Sequence, residues 1–297
     1  MWGRHPNIRR SELQIYKKTE KPPRPYPGED VGDYLDRLRK AGVRAPAKRM
    51  IKTEEQIEGC IEAGRINSLV LDAAARAVRE GGSTADIDRA VVSETQRLGG
   101  RAACLGFEGF PRSVCTSPND VVCHGIPSES VILKEGDILN VDCTTVYNGY
   151  FGDASRMFRI GKVSRVADEL IGVTEECVKI ATKNIVPYES HLGDIGYYIN
   201  QHARSHGFTV VREIGGHGVG LDMHEDPFVC HRGILGSGML LVPGMIFTVE
   251  PMINEGSGGF YIDEDDGWTV YTEDGSLSAQ IEYELLITEE GARVISK

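Results

Sequence analysis

The sequence predicts an α+β protein made of two related αβ halves. Three observations support this fold class. A capped helical pattern begins at residue 53, strand-like segments joined by an Asn-Gly pair follow it, and a second stretch repeats these signals 108 residues further on. We place the halves at residues 51–160 and 161–297, after a basic, Pro-rich N-terminal extension of residues 1–50.

Two helices are predicted at the start of the first half. Residues 53–56, Thr-Glu-Glu-Gln, match a capping box, and apolar residues keep a helical period from there until the Gly-Gly pair at 81–82. The second predicted helix runs from residue 84 to residue 98, where another Gly-Gly pair ends it.

Strands are predicted after these helices, at residues 113–116, 120–123, 131–133, 138–145 and 150–160, and later at 245–249 and 279–284. Asn148-Gly149 lies between two of them. An Asn-Gly pair flanked by strand-like residues is the strongest short hairpin signal in a sequence, so we predict a two-residue turn there.

The predicted hairpin brings two acidic residues together. The turn pairs Tyr147 with Tyr150 and Asp142 with Ser155, which makes Asp153 the diagonal neighbour of Asp142 on the same sheet face. Two carboxylates so placed repel each other unless a cation lies between them or one is protonated. Because a one-residue slip would move them to opposite faces, the prediction depends on the turn.

The internal repeat has one constant offset. Residues 133–142 align with residues 241–250, with four identities in ten positions and an acid, Asp142 or Glu250, at the end of each segment. The same offset of 108 relates Asp-Ile at 86–87 to Asp-Ile at 194–195, and Gly99 to Gly207. A duplicated fold places equivalent acids face to face across its pseudo-symmetry axis, so we predict a site there.

Composition narrows the class of protein. The 297 residues are 40% hydrophobic and 26% charged, which is typical of a soluble globular chain. No apolar run is long enough to span a membrane, and no secretory signal is present. The seven cysteines are scattered and contain no Cys-x-x-Cys, which favours reduced thiols in the cytoplasm over a disulfide framework or a thiolate zinc site.

Charge separates the extension from the body. Residues 1–50 carry 13 Lys/Arg against 6 Asp/Glu, a net of +7, whereas residues 51–297 have a net of −18. Residues 22–27 favour extended polyproline II and match a minimal SH3-type ligand, and residues 31–39 fit a short amphipathic helix. We weigh a ribosome-docking role for residues 1–50 equally against a passive solubilising tail.

Three further residues extend the two aspartates into a candidate metal site. His217 lies within Gly-Gly-His-Gly-Val-Gly, where no helical run follows, which disfavours a dinucleotide-binding loop. Glu250 ends a predicted strand, and Glu282 lies in a strand-like stretch, where a lone acid is usually only solvated. Four carboxylates and one imidazole suit Mn²⁺, Fe²⁺, Co²⁺ or Zn²⁺, and such a set balances two divalent ions.

With these residues in place, the chain resembles the type I methionine aminopeptidases over roughly residues 53–295. The segments that carry the resemblance are Cys104-Leu-Gly-Phe107-Glu-Gly-Phe-Pro-Arg-Ser-Val-Cys115, Val-Cys-His124-Gly-Ile-Pro, Asn-Val-Asp142, Gly-Asp153-Ala-Ser, Gly-His217-Gly-Val-Gly, His224-Glu-Asp-Pro, Phe-Thr-Val-Glu250-Pro-Met, Asp266-Gly-Trp268-Thr-Val and Ser-Ala-Gln-Ile-Glu282.

The resemblance implies the pita-bread fold, with a dinuclear metal site between two pseudo-symmetric halves. It implies that Asp142 binds one ion, that His217 and Glu250 bind the other, and that Asp153 and Glu282 bridge both. The implied cofactors are two divalent ions (Co, Mn, Fe or Zn), and a monovalent cation is allowed in addition.

The resemblance also implies a reaction and a substrate: removal of the initiator methionine from the N-termini of nascent polypeptides, with small second residues favoured, by a monomer. Glu250 would move a proton to the leaving amine, and His124 and His224 would contact the peptide. The residues matching the methionine pocket are Cys104, Phe107, Cys115 and Trp268. The chain departs from the family pattern at Met223, Ile281 and Tyr283, which puts substrate preference in question.

Two other functions stay open at this point. One is a prolidase or aminopeptidase P on the same fold, although those enzymes carry a whole extra N-terminal domain that 50 residues do not supply. The other is a non-catalytic binding module, which would have lost metal ligands, whereas all five ligand positions are intact here.

Overall fold

The computed structural model of the protein describes residues 21–297. The helices in this part of the chain are α1 (Val31–Lys40), α2 (Glu54–Ala77), α3 (Thr84–Arg97), α4 (Arg165–Lys183) and α5 (Leu192–Ser205). The strands are β1 (Arg101–Ala102), β2 (Cys115–Pro118), β3 (Val121–Cys123), β4 (Ile138–Tyr147), β5 (Tyr150–Arg159), β6 (Thr209–Val210), β7 (Gly216–Gly218), β8 (Glu225–Val229), β9 (Ile246–Val249), β10 (Met252–Asn254), β11 (Phe260–Ile262), β12 (Val270–Thr272), β13 (Ser278–Gln280), β14 (Tyr283–Ile287) and β15 (Ala292–Ser296).

Both helices predicted for the first half are present. The side chain of Thr53 accepts the backbone N–H of Gln56, whose side chain accepts the N–H of Thr53, so the capping box begins α2 as predicted. A second capping box, between Ser83 and Asp86, begins α3.

The repeat seen in the sequence is reproduced in the elements. Helices α3 and α5 begin and end 108 residues apart, β1 and β6 do the same, and β4 and β9 begin 108 residues apart. Isolated bridges join Ser83 to Ile132 and, at the same offset, His191 to Leu240. The two halves therefore share one local architecture.

The hairpin of β4 and β5 has the predicted register. Asn148 and Gly149 have φ angles of 51° and 85°, which is the left-handed conformation that a two-residue primed turn requires. Asp142 pairs with Ser155, and Asp153 pairs with Thr144. Asp142 and Asp153 are diagonal neighbours on one face, as predicted.

Two sheets meet at the centre of the molecule. One has the order β1-β4-β2 with β5 added to β4, and the other has the order β15-β14-β9-β7-β8. They approach where Ser155 and Glu282 form a single antiparallel bridge. Beside that bridge, the side-chain amide of Asn140 donates a 2.7 Å hydrogen bond to the backbone carbonyl of Gln280. The equivalent acids of the two halves, Asp142 and Glu250, both hydrogen-bond to Glu282 at this junction.

Two strand predictions were wrong in detail. Residues 131–133 form no strand, because only Ile132 pairs, in a single bridge with Ser83. The stretch 279–284 is two strands, since β13 pairs with β10, whereas β14 pairs with β9 in another sheet. Glu282 lies where the chain passes from one sheet to the other.

Helix α1 packs into the body. Asp30 caps its first turn, and Leu35 and Leu38 are fully buried among residues of α4 and α5. Arg37 forms a 2.6 Å ion pair with Glu29 and lies 4.1 Å from the ring centroid of Tyr26. The predicted amphipathic helix is present, and the composition boundary near residue 50 does not coincide with the edge of the packed body.

The structure bears on two sequence expectations, one about membrane-spanning helices and one about the cysteines. None of the helices between residues 21 and 297 is long and apolar enough to cross a membrane. All seven cysteines lie in this part of the chain as free thiols, and six of them are buried.

Candidate metal centre

Five acidic and histidine side chains converge at the junction of the two sheets. Asp142 and Asp153 lie on the β4–β5 hairpin, His217 lies on β7, Glu250 directly follows β9, and Glu282 directly precedes β14. Asp153, Glu250 and Glu282 are each less than 8% exposed. The strands therefore bring together all five residues that the sequence predicted as metal ligands.

The tightest group consists of Asp153, His217 and Glu282. One potential ligand atom from each lies within 4.8 Å of the other two. The Nε2 atom of His217 is 3.8 Å from Oδ2 of Asp153 and 3.4 Å from Oε1 of Glu250. Side-chain hydrogen bonds join Glu282 to Glu250 and to Asp142.

The imidazole of His217 is held in the form that can bind a metal. Its Nδ1 lies 3.0 Å from the carbonyl oxygen of Gly218, an acceptor, so Nδ1 carries the proton and Nε2 presents a lone pair to the carboxylates. Burial lowers the pKa of His217 to about 4, which keeps the ring neutral near pH 7.

The glycines beside His217 are required by close packing. A Cβ atom at Gly216 would lie 2.2 Å from the carbonyl oxygen of Thr248, and one at Gly218 would lie 2.2 Å from that of Asp226. The glycine-rich segment therefore lets β7 fit between its two neighbouring strands, and no phosphate-binding loop is formed.

The carboxylates raise one another's affinity for protons. Burial raises the pKa of Asp142 to about 7 and that of Glu250 to about 8. It also raises the pKa of Asp153 and Glu282 well above the ordinary range, and repulsion from the other carboxylates adds to the effect. Three buried acids and the half-buried Asp142, beside a neutral imidazole, form a hard donor set, so these residues fit divalent cations.

Sequence reasoning missed the groups that orient the ligands. The hydroxyl of Thr144 donates a 2.9 Å hydrogen bond to Oδ1 of Asp153. The hydroxyl of Thr248 donates one of 2.8 Å to Oε1 of Glu250, and its oxygen accepts the backbone N–H of His217. Thr144 lies two positions after Asp142, and Thr248 lies two positions before Glu250. Because side chains two positions apart share one face of a strand, this spacing was the only sequence signal that could have found the two threonines.

Three more supports come from elsewhere in the chain. Gln280 donates a 3.0 Å side-chain hydrogen bond to Oε2 of Glu250, and Nε2 of the buried His231 accepts the backbone N–H of the same residue. A carboxyl oxygen of the buried Glu284 accepts the backbone N–H of Asp153 at 3.0 Å. No local pattern predicts these contacts, because the partners lie 19 to 131 residues apart in the sequence.

A cluster of thiols and aromatic rings adjoins the carboxylates. Cys104, Cys115 and Met223 are buried in one cluster with Phe110, and Phe107 and Trp268 pack against it. Cys115 pairs with Asp142 across β2 and β4, so this cluster adjoins the candidate ligands. The four predicted pocket residues therefore lie together.

The two predicted substrate histidines lie at this boundary. The ring of His224 is 4.3 Å from that of His217 and 5.2 Å from that of Phe107, measured between centroids. The ring of His124 lies 6.4 Å from that of Trp268. Burial lowers the pKa of His124 to about 4 and that of His224 to about 2, so both rings are neutral near pH 7.

The three residues that depart from the family pattern lie in two different parts of the structure. Met223 is part of the pocket cluster. Ile281 and Tyr283 instead pack with the hydrophobic core of the second half. Of the three, Met223 alone packs with the residues predicted for the methionine pocket.

Comparison with known proteins identifies the class of enzyme that this fold and centre define. Residues 58–289 match the family described as Metallopeptidase family M24. The chain belongs to this family, and its two αβ halves with antiparallel sheets and outer helices have the pita-bread fold.

Its similar relatives are methionine aminopeptidases. Methionine aminopeptidase A of Synechocystis sp. is 43% identical over 244 residues, which make up 82% of this chain and 96% of that protein. The crystal structure of methionine aminopeptidase from Rickettsia prowazekii aligns with a TM-score of 0.81 at 38% identity, over 83% of this chain and 99% of that one. Within family M24, the chain is therefore grouped with the methionine aminopeptidases, as the resemblance predicted.

The proline-directed alternative shares only the fold. A prolidase from Pyrococcus furiosus aligns with a TM-score of 0.64 at 23% identity, over 84% of this chain and 66% of that one. At 23% identity, the similarity to this prolidase shows a shared fold and does not indicate a shared substrate.

Proposed function

We propose that this protein hydrolyses the first peptide bond of nascent chains that begin with methionine, using two divalent ions and favouring small second residues. One observation carries the proposal: four carboxylates, three of them buried, and one neutral imidazole lie beside a cluster of thiols and aromatic rings. The preference for small second residues rests on the family resemblance alone.

In this proposal, Asp142, Asp153, His217, Glu250 and Glu282 hold the two ions. When bound, the ions lower the pKa of water and polarise the scissile carbonyl group. The number of ions is supported by charge, because four ionised carboxylates balance two divalent cations. Within the described residues, the amide oxygens of Asn140 and Gln280 are buried without a hydrogen-bond partner, and they would suit a monovalent cation as well.

The chain's own side chains divide the remaining work. Cys104, Cys115 and the nearby rings surround the methionine side chain, since sulfur and aromatic groups are soft partners for a thioether. His124 and His224 hydrogen-bond to the peptide and to the oxygen on which charge develops. Glu250 takes a proton from the attacking water and passes it to the leaving amine.

The test combines metal content with peptide hydrolysis. We expect about two divalent ions per chain. The protein should release methionine rapidly from Met-Ala-Ser and should not cleave an Xaa-Pro peptide. A chain that binds metal but cleaves only the Xaa-Pro peptide would assign the site to the prolidase reaction. A chain that cleaves neither would favour a binding module.

We also propose that the protein acts in the cytoplasm as a monomer and that its basic N-terminal region approaches the ribosome. The positive charge of residues 1–50 and the seven free thiols support this placement. Deleting residues 1–20 is the appropriate test, because α1 packs into the body and a longer deletion would damage the fold. Salt-sensitive co-sedimentation with ribosomes should weaken while tripeptide hydrolysis is retained; equal co-sedimentation would exclude this role.

A further inference from the structure

His224 lies on a loop between β7 and β8 that the half-buried carboxylate of Glu225 holds together. Oε1 of Glu225 accepts the backbone N–H groups of Leu221 and Asp222, at 2.7 and 3.2 Å. The loop of residues 220–225 therefore folds around this carboxylate, and it carries both Met223 of the pocket and His224.

The other oxygen of this carboxylate is paired with a buried lysine. Nζ of Lys52 lies 2.5 Å from Oε2 of Glu225, and the lysine side chain is only 2% exposed. Lysine is almost never fully buried without a partner, because removing an ammonium group from water costs several kcal/mol. The ion pair therefore places a strong constraint on where Glu225 can lie.

Lys52 is itself fixed at both ends. Its backbone N–H donates to the carbonyl of Gly244 at 2.9 Å, and the next residue is the N-cap of α2. Its side chain passes Gly220, where an added Cβ would lie 3.4 Å from Cε of the lysine and 2.7 Å from Sγ of Cys60. Gly220 has a φ of 128°, which side chains rarely allow, and a Cβ atom would also be too close to Cys60. Both reasons favour glycine at this position.

We infer that Lys52 is a positioning residue for His224: through the Glu225 carboxylate, its ammonium group holds the loop that presents the His224 ring to His217 and the substrate pocket. This role rests on the proposed function for its effect on turnover. Lys52 thus acts on a segment that lies more than 170 residues away in the sequence.

The neighbouring ion pair supplies a matched control. Arg49 and Asp226 lie 2.6 Å apart, but their side chains are 72% and 53% exposed, so solvent screens the pair and its loss should matter little. Both pairs connect the segment before α2 to residues directly after His224, which makes burial the main difference between them.

The experiment compares Lys52→Met with Arg49→Met. A displacement of the His224 ring by about 1 Å should lower kcat for Met-Ala-Ser about 10- to 100-fold, with unchanged metal content. Arg49→Met should stay within about twofold of the parent. In a His224→Ala background, Lys52→Met should cause little further loss. An undiminished loss in that background, or a Lys52→Met variant as active as the parent, would overturn the inference.

A second readout does not depend on activity. In protein labelled at its histidine rings, the His224 signals, identified by their absence in His224→Ala, should shift or broaden in Lys52→Met and stay unchanged in Arg49→Met. If Lys52→Met does not fold, Glu225→Gln serves in its place, since it removes the charge and keeps an oxygen for the loop. Unchanged His224 signals would reject the positioning role, whereas absence of methionine release by the parent would reject only the proposed function.

Discussion

The hydroxyl group of Thr248 donates a hydrogen bond of 2.8 Å to Oε1 of Glu250. The same carboxylate oxygen lies 3.4 Å from Nε2 of His217, and the Thr248 oxygen accepts the backbone N–H of that histidine. One side chain thus sets the distance between the two residues assigned to the same metal ion.

Replacing this hydroxyl should weaken metal binding. Thr248→Val keeps the shape of the side chain but removes both hydrogen bonds, and loss of such a support typically costs 10- to 100-fold in metal affinity. Thr95→Val is the control, because Thr95 is equally buried and its hydroxyl has no partner within the described residues. Titration with Co²⁺ should separate the two variants, and equal affinities would show that Thr248 has no such role.

Removing a bridging carboxylate should abolish activity. Asp153→Ala and Glu282→Ala should each lose nearly all turnover and part of the bound metal, because two cations would be left less screened from each other. Glu264→Ala, at an exposed position, should behave like the parent. Metal analysis by mass spectrometry tests this, and two ions retained with near-normal turnover would contradict the dinuclear assignment.

His224→Ala should keep its metal and lose turnover. Losing one donor to a developing oxyanion costs about 10²- to 10³-fold in kcat. His206→Ala, which changes an exposed histidine, should have little effect on either quantity. A metal-depleted His224→Ala variant would instead identify His224 as a ligand.

The metal-free protein should lose stability as the pH rises from about 6.5 to 8. Burial raises the pKa of Asp142 to about 7 and of Glu250 to about 8, from ordinary values of 3.8 and 4.5. The folded state therefore retains protons that the unfolded chain has released, so the free energy of unfolding falls as pH rises through this window.

The buried histidines have lowered pKa values and act in the opposite sense, but mainly below about pH 6.5, since the unfolded chain's imidazoles are neutral above it. Thermal unfolding of chelator-treated protein across this range provides the measurement. A flat or rising stability curve would contradict the prediction, and Glu250→Gln should reduce the slope.

Helix α1 should contribute to global stability. Leu35 is fully buried, and Leu35→Ala should lower the free energy of unfolding by about 2–5 kcal/mol. Asp36→Ala, on the exposed face of the same helix, should change it by less than about 0.5 kcal/mol. Denaturant unfolding of both variants decides the question; equal midpoints would mean that α1 contributes nothing to the stability of the body.

Local chemistry made the centre of the site predictable. The Asn148-Gly149 turn sets the register of one hairpin, and that register places Asp142 and Asp153 on the same face. The 108-residue repeat brought Glu250 into the same argument, and the structure keeps that offset in its elements. Such features depend on neighbouring residues and on strand period, so the sequence alone determines them.

The remaining features depend on contacts between distant segments. Charge counting describes residues 1–50 as a basic extension, but composition does not report which face of a helix is buried, and Leu35 and Leu38 place α1 in the core. No sequence pattern assigned a role to Glu284, His231 or Lys52. Only the tertiary structure sets them against Asp153, Glu250 and Glu225, because a buried polar group takes its role from whichever donor or acceptor the fold leaves beside it.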